Sequence, residues 1–440
     1  MLKVSNFRRA AIALVLGGLC PKLWAIDPQI IEESAMESAH FISHKYDVFY
    51  NHGETYVVAP PQQAMTREDF SDLYIVETGL HFALPPVLEE TGKLLHFAPG
   101  KFALMRLQPQ DVEKVVAALH GEVVACGALL KLNGDTIVPN TLAVPQPRIP
   151  LEVSREDFNE MVAAISPEAI KVGIEKLTSF PSRFHKSASG KQIAEFLQEQ
   201  YQQLAKERPD VTVQTVSHGG QTPQKSFVVR IEGQKFPEET LILGSHLDSV
   251  NWSGDGEGRA PGADDNASGT ATNMEIFRVI MARGLKLERT LEIHAYAAEE
   301  IGLVGSQDIA QKYRREGRRV LGMIQHDMTL WKPSATKNKI WFVTNHTDKL
   351  FNQFLGQLVD KYVGIPWQMQ ALSGGSSDHA SWRRAGFVTA FPFENPTSHN
   401  PAIHTSRDTV KQAPYFDLAA DFAKLGLSFV LHFAGVSEEK

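Results

Sequence analysis

Cysteine is nearly absent: two occur in 440 residues, Cys20 and Cys126. A disulfide framework is therefore excluded, and Cys126, inside an apolar segment, reads as a small buried hydrophobe. Excess positive charge is lacking too, with 44 Lys and Arg against 51 Asp and Glu and a net charge of −7. Without a basic face there is no electrostatic footprint for nucleic acid. No apolar run reaches the ~20 residues needed to span a bilayer, which excludes a multi-spanning membrane protein. Neither a His-Glu-x-x-His helix nor a Gly-x-Ser-x-Gly elbow occurs, and internal repeats and low-complexity stretches are missing. What remains is an ordinary globular composition, 43% apolar and 22% charged. At about 100–200 residues per domain, the chain has room for two or three.

Residues 1–25 combine a basic start (Lys3, Arg8, Arg9), an apolar run over 10–20 and a small residue at Ala25. That order is a secretory signal cleaved after Ala25, and Cys20 leaves with it. Export follows, to a periplasm or to the medium, with no stable membrane anchor. Residues 26–140 read as a small α+β domain, with a strand at 102–107, an amphipathic helix at 111–119 and a second strand at 123–132. Pro145, Pro147 and Pro150 mark residues 141–153 as a linker. Over residues 154–440 the pattern changes. Apolar strands at 227–231, 240–244, 290–296, 320–324, 340–343 and 388–393 alternate with helices at 191–207, 267–283, 349–362 and 418–434. Such alternation predicts an α/β domain of three layers, a mostly parallel sheet with helices on both faces. Functional groups then gather at the carboxyl edge of the strands.

Acids and histidines stand at those strand ends. His246-Leu247-Asp248 closes the second strand, Asp264-Asp265-Asn266 opens the following helix, and Glu299-Glu300 follows the third strand. Asp327-Met328 follows the fourth, and Ile403-His404 lies beyond the last. Singly, each is ordinary: a surface His-x-Asp pair, two acids at a helix start, an Asp-Asp-Asn turn. Together they offer imidazole nitrogen and carboxylate oxygen, which Zn²⁺ accepts at about 2.0–2.2 Å. Five protein donors exceed what one tetrahedral ion with an open position takes. They suit two ions about 3.5–4 Å apart that share a carboxylate and a water. Asp248 is placed to accept the second imidazole N–H of His246 and fix its tautomer. Glu299 and Glu300 point in different directions, so one can bind metal while the other faces the water.

These phrases resemble the zinc-dependent exopeptidases of the secreted bacterial leucyl aminopeptidase type over roughly residues 170–436. The resemblance rests on His-Leu-Asp-Ser at 246–249, Ala-Pro-Gly-Ala-Asp-Asp-Asn-Ala-Ser-Gly at 260–269 and Ala-Tyr-Ala-Ala-Glu-Glu-Ile-Gly-Leu at 295–303. Ser-Asp-His-Ala-Ser-Trp at 377–382 and Ile-His-Thr at 403–405 add to it. It implies a dizinc aminopeptidase in which Asp264 is the bridging carboxylate, His246 and Asp327 hold one zinc, and Glu300 and His404 hold the other. It makes Glu299 the general acid/base, Asp248 the partner of His246, and the peptide bond between Asp264 and Asp265 cis. The implied reaction is hydrolysis of the N-terminal peptide bond of peptides or proteins. Met328, Phe391, Phe393 and Ile403 resemble the family's pocket positions, and an apolar wall there favours Leu, Met or Phe as the first residue.

The chain departs from that family at Leu372 and Ser376, where close members often carry a disulfide. The segment Gly254-Asp-Gly-Glu-Gly258 reads as a mobile flap beside the metals. Residues 26–140 carry no ligand cluster, and they read as a pro-region clipped by a processing protease or as a permanent accessory domain. Three rivals stay open: a single-zinc glutaminyl cyclase, a non-enzymatic binding protein on the same fold, and a carboxypeptidase.

Overall fold

The computed structural model describes residues 3–4, 27–32, 46–52, 55–60, 64–77, 86–119, 128–137, 157–253, 258–372 and 375–437. The cleavage point after Ala25, both cysteines and the Pro-rich linker lie outside the described residues.

Two antiparallel sheets build the N-terminal region. The first runs β1 (Lys3–Val4), β2 (Gln29–Glu32), β4 (Thr55–Val58) and β3 (Val48–His52). The second contains β5 (Leu73–Glu77), β6 (Gly92–Ala98), β7 (Phe102–Leu107) and β8 (Ala128–Lys131) in the order β6-β7-β5-β8. Helices α1 (Pro86–Thr91) and α2 (Val112–Leu119) accompany it. Val112, Val115, Val116 and Leu119 recur at helical spacing and pack on Tyr74, Val76 and Met105 of the sheet.

The larger region is built on six strands, ordered β16-β13-β11-β12-β10-β9. They are β9 (Val211–Val216), β10 (Ser226–Ile231), β11 (Phe236–His246), β12 (Arg289–Tyr296), β13 (Arg319–Gln325) and β16 (Thr389–Ala390). Strands β16, β13, β11 and β12 are parallel, whereas β10 pairs antiparallel with both β12 and the edge strand β9. In β11, Leu241 and Leu243 enter one core and Ile242 the opposite one. The strand is thus buried on both faces, and its apolar run is continuous. On the first face lie α3 (Phe158–Ala163), α4 (Pro167–Thr178), α5 (Ile193–Leu204), α6 (Gly269–Ala282), α8 (Lys349–Leu358) and α10 (Phe416–Phe433). Ser166 caps α4 through the amide of Ala169 at 3.2 Å, with Pro167 in the first turn. On the second face, Ile309 and Tyr313 of α7 (Val304–Arg315) and Trp382 of α9 (His379–Arg384) close the other layer.

A three-stranded sheet of β15 (Trp367–Gln370), β14 (Ile340–Val343) and β17 (Pro392–Phe393) adjoins the main body. The segment 388–393, expected as one strand, is divided between the two sheets. Among the described residues, no helix is long and apolar enough to cross a membrane.

Candidate metal centre

The carboxyl edge of the parallel strands is where the chemistry gathers. His246 is the last residue of β11, Glu299 and Glu300 leave β12, Asp327 leaves β13, and His404 is in the long connection before α10. All of them except Glu299 and His404 are buried.

Asp265 stands between the two imidazoles. Its Oδ1 lies 3.0 Å from His246 Nε2 and its Oδ2 lies 3.0 Å from His404 Nε2. Asp327 Oδ1 is 3.4 Å from His246 Nε2, and Glu300 Oε2 is 3.0 Å from His404 Nε2. His246 Nε2 is therefore approached by one oxygen of Asp265 and by Asp327, and His404 Nε2 by the other oxygen of Asp265 and by Glu300. Donor atoms around a tetrahedral ion with bonds of 2.0–2.1 Å stand roughly 3.3 Å apart. The distances to each imidazole nitrogen fit that spacing, and His246, Asp265 and Glu300 offer ligand atoms that all lie within 4.8 Å of one another. Asp327 Oδ1 and Glu300 Oε1 are buried without hydrogen-bond partners, as oxygens reserved for cations would be.

The expectation that Asp264 is the shared carboxylate is corrected here. Asp264 Oδ1 accepts the amide of Leu330 at 3.0 Å, and the group lies in a separate buried cluster with Glu394 and Asn400. Gly262 turns the chain through a left-handed conformation (φ 53°), after which Asp265 (φ −110°, ψ 93°) is the residue that faces the histidines. The cis bond joins Asp265 to Asn266, not Asp264 to Asp265.

Several residues with no role assigned from the sequence hold these groups in place. Asp408 accepts the amides of Asp264 at 3.1 Å and Asp265 at 3.0 Å. Ser377 donates its hydroxyl to Asp327 Oδ2 at 2.6 Å. Arg183, fully buried, donates to the carbonyls of Leu247, Pro261 and Gly262 at 3.0, 2.5 and 2.8 Å, placing a positive charge behind the acids. Asp408 and Arg183 were not legible in the sequence, because a lone Asp or Arg in a loop carries no periodicity, whereas Ser377 opens the phrase at 377–382 without showing what it holds. Asp248 faces His246 without a formed hydrogen bond to its Nδ1 and instead takes two backbone amides. One oxygen lies 3.4 Å from His246 Nδ1, and its two oxygens accept the amides of Glu299 and Glu300 at 3.1 Å each.

Charge crowding sets the acid–base character of the cluster. Burial, joined by the charges of Asp378, Glu300 and Asp327, pushes the Glu299 carboxyl well above its usual range against the pull of His246. Burial and Asp265 raise Glu300 to about 7. Bound cations reverse such shifts for their own ligands. Beside the acids, Met328, Val343, Phe391 and Phe393 form a buried apolar cluster, with Ile403 and Leu372 packed partly exposed against it. All four expected pocket residues thus stand together, two of them adjacent in sequence to Asp327 and His404.

Fold and site together define a hydrolase built around a buried imidazole–carboxylate metal centre. Peptidase family M28 matches residues 226–427. The leucine aminopeptidase 1 of Trichoderma harzianum is 34% identical over 296 residues, 64% of this chain and 73% of that one. The probable leucine aminopeptidase 1 of Trichophyton verrucosum is 35% identical over 315 residues, 68% of this chain and 83% of that one. Among solved structures, LapB from Legionella pneumophila superimposes with a TM-score of 0.71 at 27% identity, covering 83% of this chain and 99% of that one. The LapA aminopeptidase of the same organism gives 0.69 with the same identity and coverage. The chain belongs to peptidase family M28, and it is a zinc-dependent aminopeptidase.

Proposed function

We propose that this aminopeptidase releases apolar N-terminal residues, leucine foremost, with two zinc ions per chain and Glu299 as the general acid/base. The observation that carries the reading is Asp265, which offers one oxygen to each of two imidazoles at 3.0 Å. His246, Asp327 and Asp265 would hold one ion, and His404, Glu300 and Asp265 the other. Bound there, the zinc pair supplies an acidified water and a polarised carbonyl. Glu299 takes the proton of the attacking water and returns it to the departing amine nitrogen. Burial raises its affinity for protons, which favours its holding the proton between the two halves of that task. Met328, Phe391, Phe393 and Ile403 receive the first side chain and keep bulk water from the acids.

Leucine preference is supported by this apolar wall and by the activity named for the fungal relatives. Rates on Leu, Lys and Glu arylamides test it. Leu is expected to lead, and a lead for Lys or Glu would contradict the wall as the pocket. We also read residues 1–25 as an export signal, placing the enzyme in a periplasm or in the medium. Mass analysis of the exported protein, with Ile26 expected as its first residue unless the N-terminal region is also clipped, checks that cleavage.

A further inference from the structure

The loop that carries Glu299 and Glu300 is fastened through its backbone. Four consecutive amides, those of residues 297–300, each donate to a buried side chain. Ala297 N–H donates to Ser226 Oγ at 2.9 Å, and Ala298 N–H to Gln224 Oε1 at 3.0 Å. The amides of Glu299 and Glu300 go to Asp248. On the other edge, the carbonyls of Ala297 and Ala298 accept the amides of Gly305 and Val304 at 2.9 and 3.2 Å. Ala298 needs this hold, because its φ of 53° is a left-handed conformation that a residue with a Cβ seldom takes.

Behind Ser226 the chain of bonds continues to the surface. Ser226 Oγ lies 2.7 Å from His218 Nε2, and His218 Nδ1 lies 2.9 Å from Asp308 Oδ2. Asp308 can only accept, so Nδ1 carries the proton and, in the neutral ring, Nε2 accepts the hydroxyl of Ser226. The serine lone pairs are then directed to the Ala297 amide, and each link points the same way. The Ser-His-Asp order is that of a nucleophilic triad, but Ser226 is fully buried. A Cβ on Gly305 would meet its Oγ at 2.6 Å, so no substrate carbonyl can approach. Its fixed receiver is the loop.

We propose that Gln224 and the Asp308–His218–Ser226 relay are positioning residues for Glu299, holding Ala297 and the strained Ala298 so that its carboxyl meets the attacking water. The proposal rests on Glu299 being the general base. Gln224 is suited to the role because its amide nitrogen also donates to the carbonyls of Arg183 and Gly190 at 3.0 and 2.8 Å, which fixes the carbonyl end toward Ala298.

The test compares Ser226→Ala, Asp308→Ala, Glu299→Gln and the double variants in the full-length, zinc-loaded enzyme. Asp308 is the safe end of the relay, with 37% of its side chain exposed, so its variant folds even where Ser226→Ala does not. On a Leu arylamide, kcat is expected to fall roughly tenfold in Ser226→Ala and roughly threefold in Asp308→Ala, with KM and zinc content unchanged. Combined with Glu299→Gln, neither variant lowers kcat further, because the group they position is already gone. Hydrogen exchange of a peptide spanning residues 296–303 is expected to quicken in both single variants, whether or not zinc is bound. Losses that multiply with Glu299→Gln, or unchanged kcat and exchange in Asp308→Ala, overturn the relay. Normal turnover by Glu299→Gln alone would instead remove the base itself, a separate failure that the same series reveals.

Discussion

Glu299 and Glu300 are neighbours with different tasks, and the backbone divides them. Glu300 reaches His404 at 3.0 Å, while Glu299 stays half-buried and, among the described residues, pairs with neither histidine at that distance. Glu299→Gln is expected to keep its zinc and lose at least ~10³-fold in turnover, the scale of general acid–base catalysis. Metal analysis beside single-turnover rates checks this, and a zinc-loaded variant with normal rates would contradict it. Asp264→Asn is expected to retain full zinc content, since Asp264 faces Leu330 and Glu394 rather than the histidines. The residue types at the site were legible in the sequence because His and acids recur where apolar strands end. The choice between Asp264 and Asp265 was not. Adjacent acids in a loop share one composition, and only the turn at Gly262 decides which of them faces inward.

Strands β11, β12 and β13 were legible because both faces are buried, which leaves an apolar run that a sequence displays directly. Helix α7 was not, because Lys312, Arg314 and Arg315 make its sequence polar while only its inner face packs. The segment 388–393 misleads for a different reason. Its composition is that of one strand, yet Thr389–Ala390 pairs with β13 and Pro392–Phe393 with β14. Phe391, between them, is left to pack with Phe393 at 5.1 Å and His379 at 4.6 Å between ring centroids. Phe391→Ala opens this wall and is expected to lower kcat/KM on a Leu arylamide roughly 10- to 100-fold, with a much smaller loss on an Ala arylamide. Equal losses on both would contradict a pocket role.

At the scale of the molecule, the N-terminal region touches the loops of the metal centre. Trp252, whose amide donates to the His404 carbonyl at 3.1 Å, packs against the cluster of Tyr74, Leu88 and Val116. Arg384 pairs with Glu77 at 3.3 Å, Glu113 meets His185 and Lys186, and a Cβ on Gly302 would lie 2.6 Å from the Leu129 carbonyl. A retained accessory domain and a pro-region seated before cleavage would share these contacts. The sequence does not display them, since they join residues from 72 to 307 positions apart. Gly302, at φ 115°, leaves no room for a side chain. Gly302→Ala is expected to cost at least about 1–3 kcal/mol of stability, read by denaturant unfolding, and to slow turnover along with it.

The zinc-free protein carries a stability signature of its own. Burial raises Asp408 to about 6, Glu300 to about 7 and Asp378 to about 8. His246 and His404 are raised as well, the facing carboxylates outweighing burial. Each of these groups binds its proton more tightly when folded, so their contribution is greatest at low pH and declines as pH rises through 6 to 8, while His326 and His379, lowered to about 3 by burial, oppose them below about pH 6.5. Asp265, held low by the two histidines despite its burial, acts in the opposite sense only below about pH 4. The melting temperature of chelator-stripped protein is therefore expected to fall from about pH 7 to about pH 9, where the depressed histidines are already neutral in both states, and that of zinc-loaded protein to change far less. A stripped protein that grows more stable over this interval would contradict the charge arrangement.

The most direct measurement is a zinc titration of the stripped wild-type chain and of Asp265→Ala, with bound metal counted per chain and activity followed in parallel. Wild type is expected to bind two ions and regain full activity, while Asp265→Ala loses tight binding at both positions together. An Asp265→Ala variant that still binds two ions tightly, or a wild-type chain saturated by one, would contradict a centre built around one shared carboxylate.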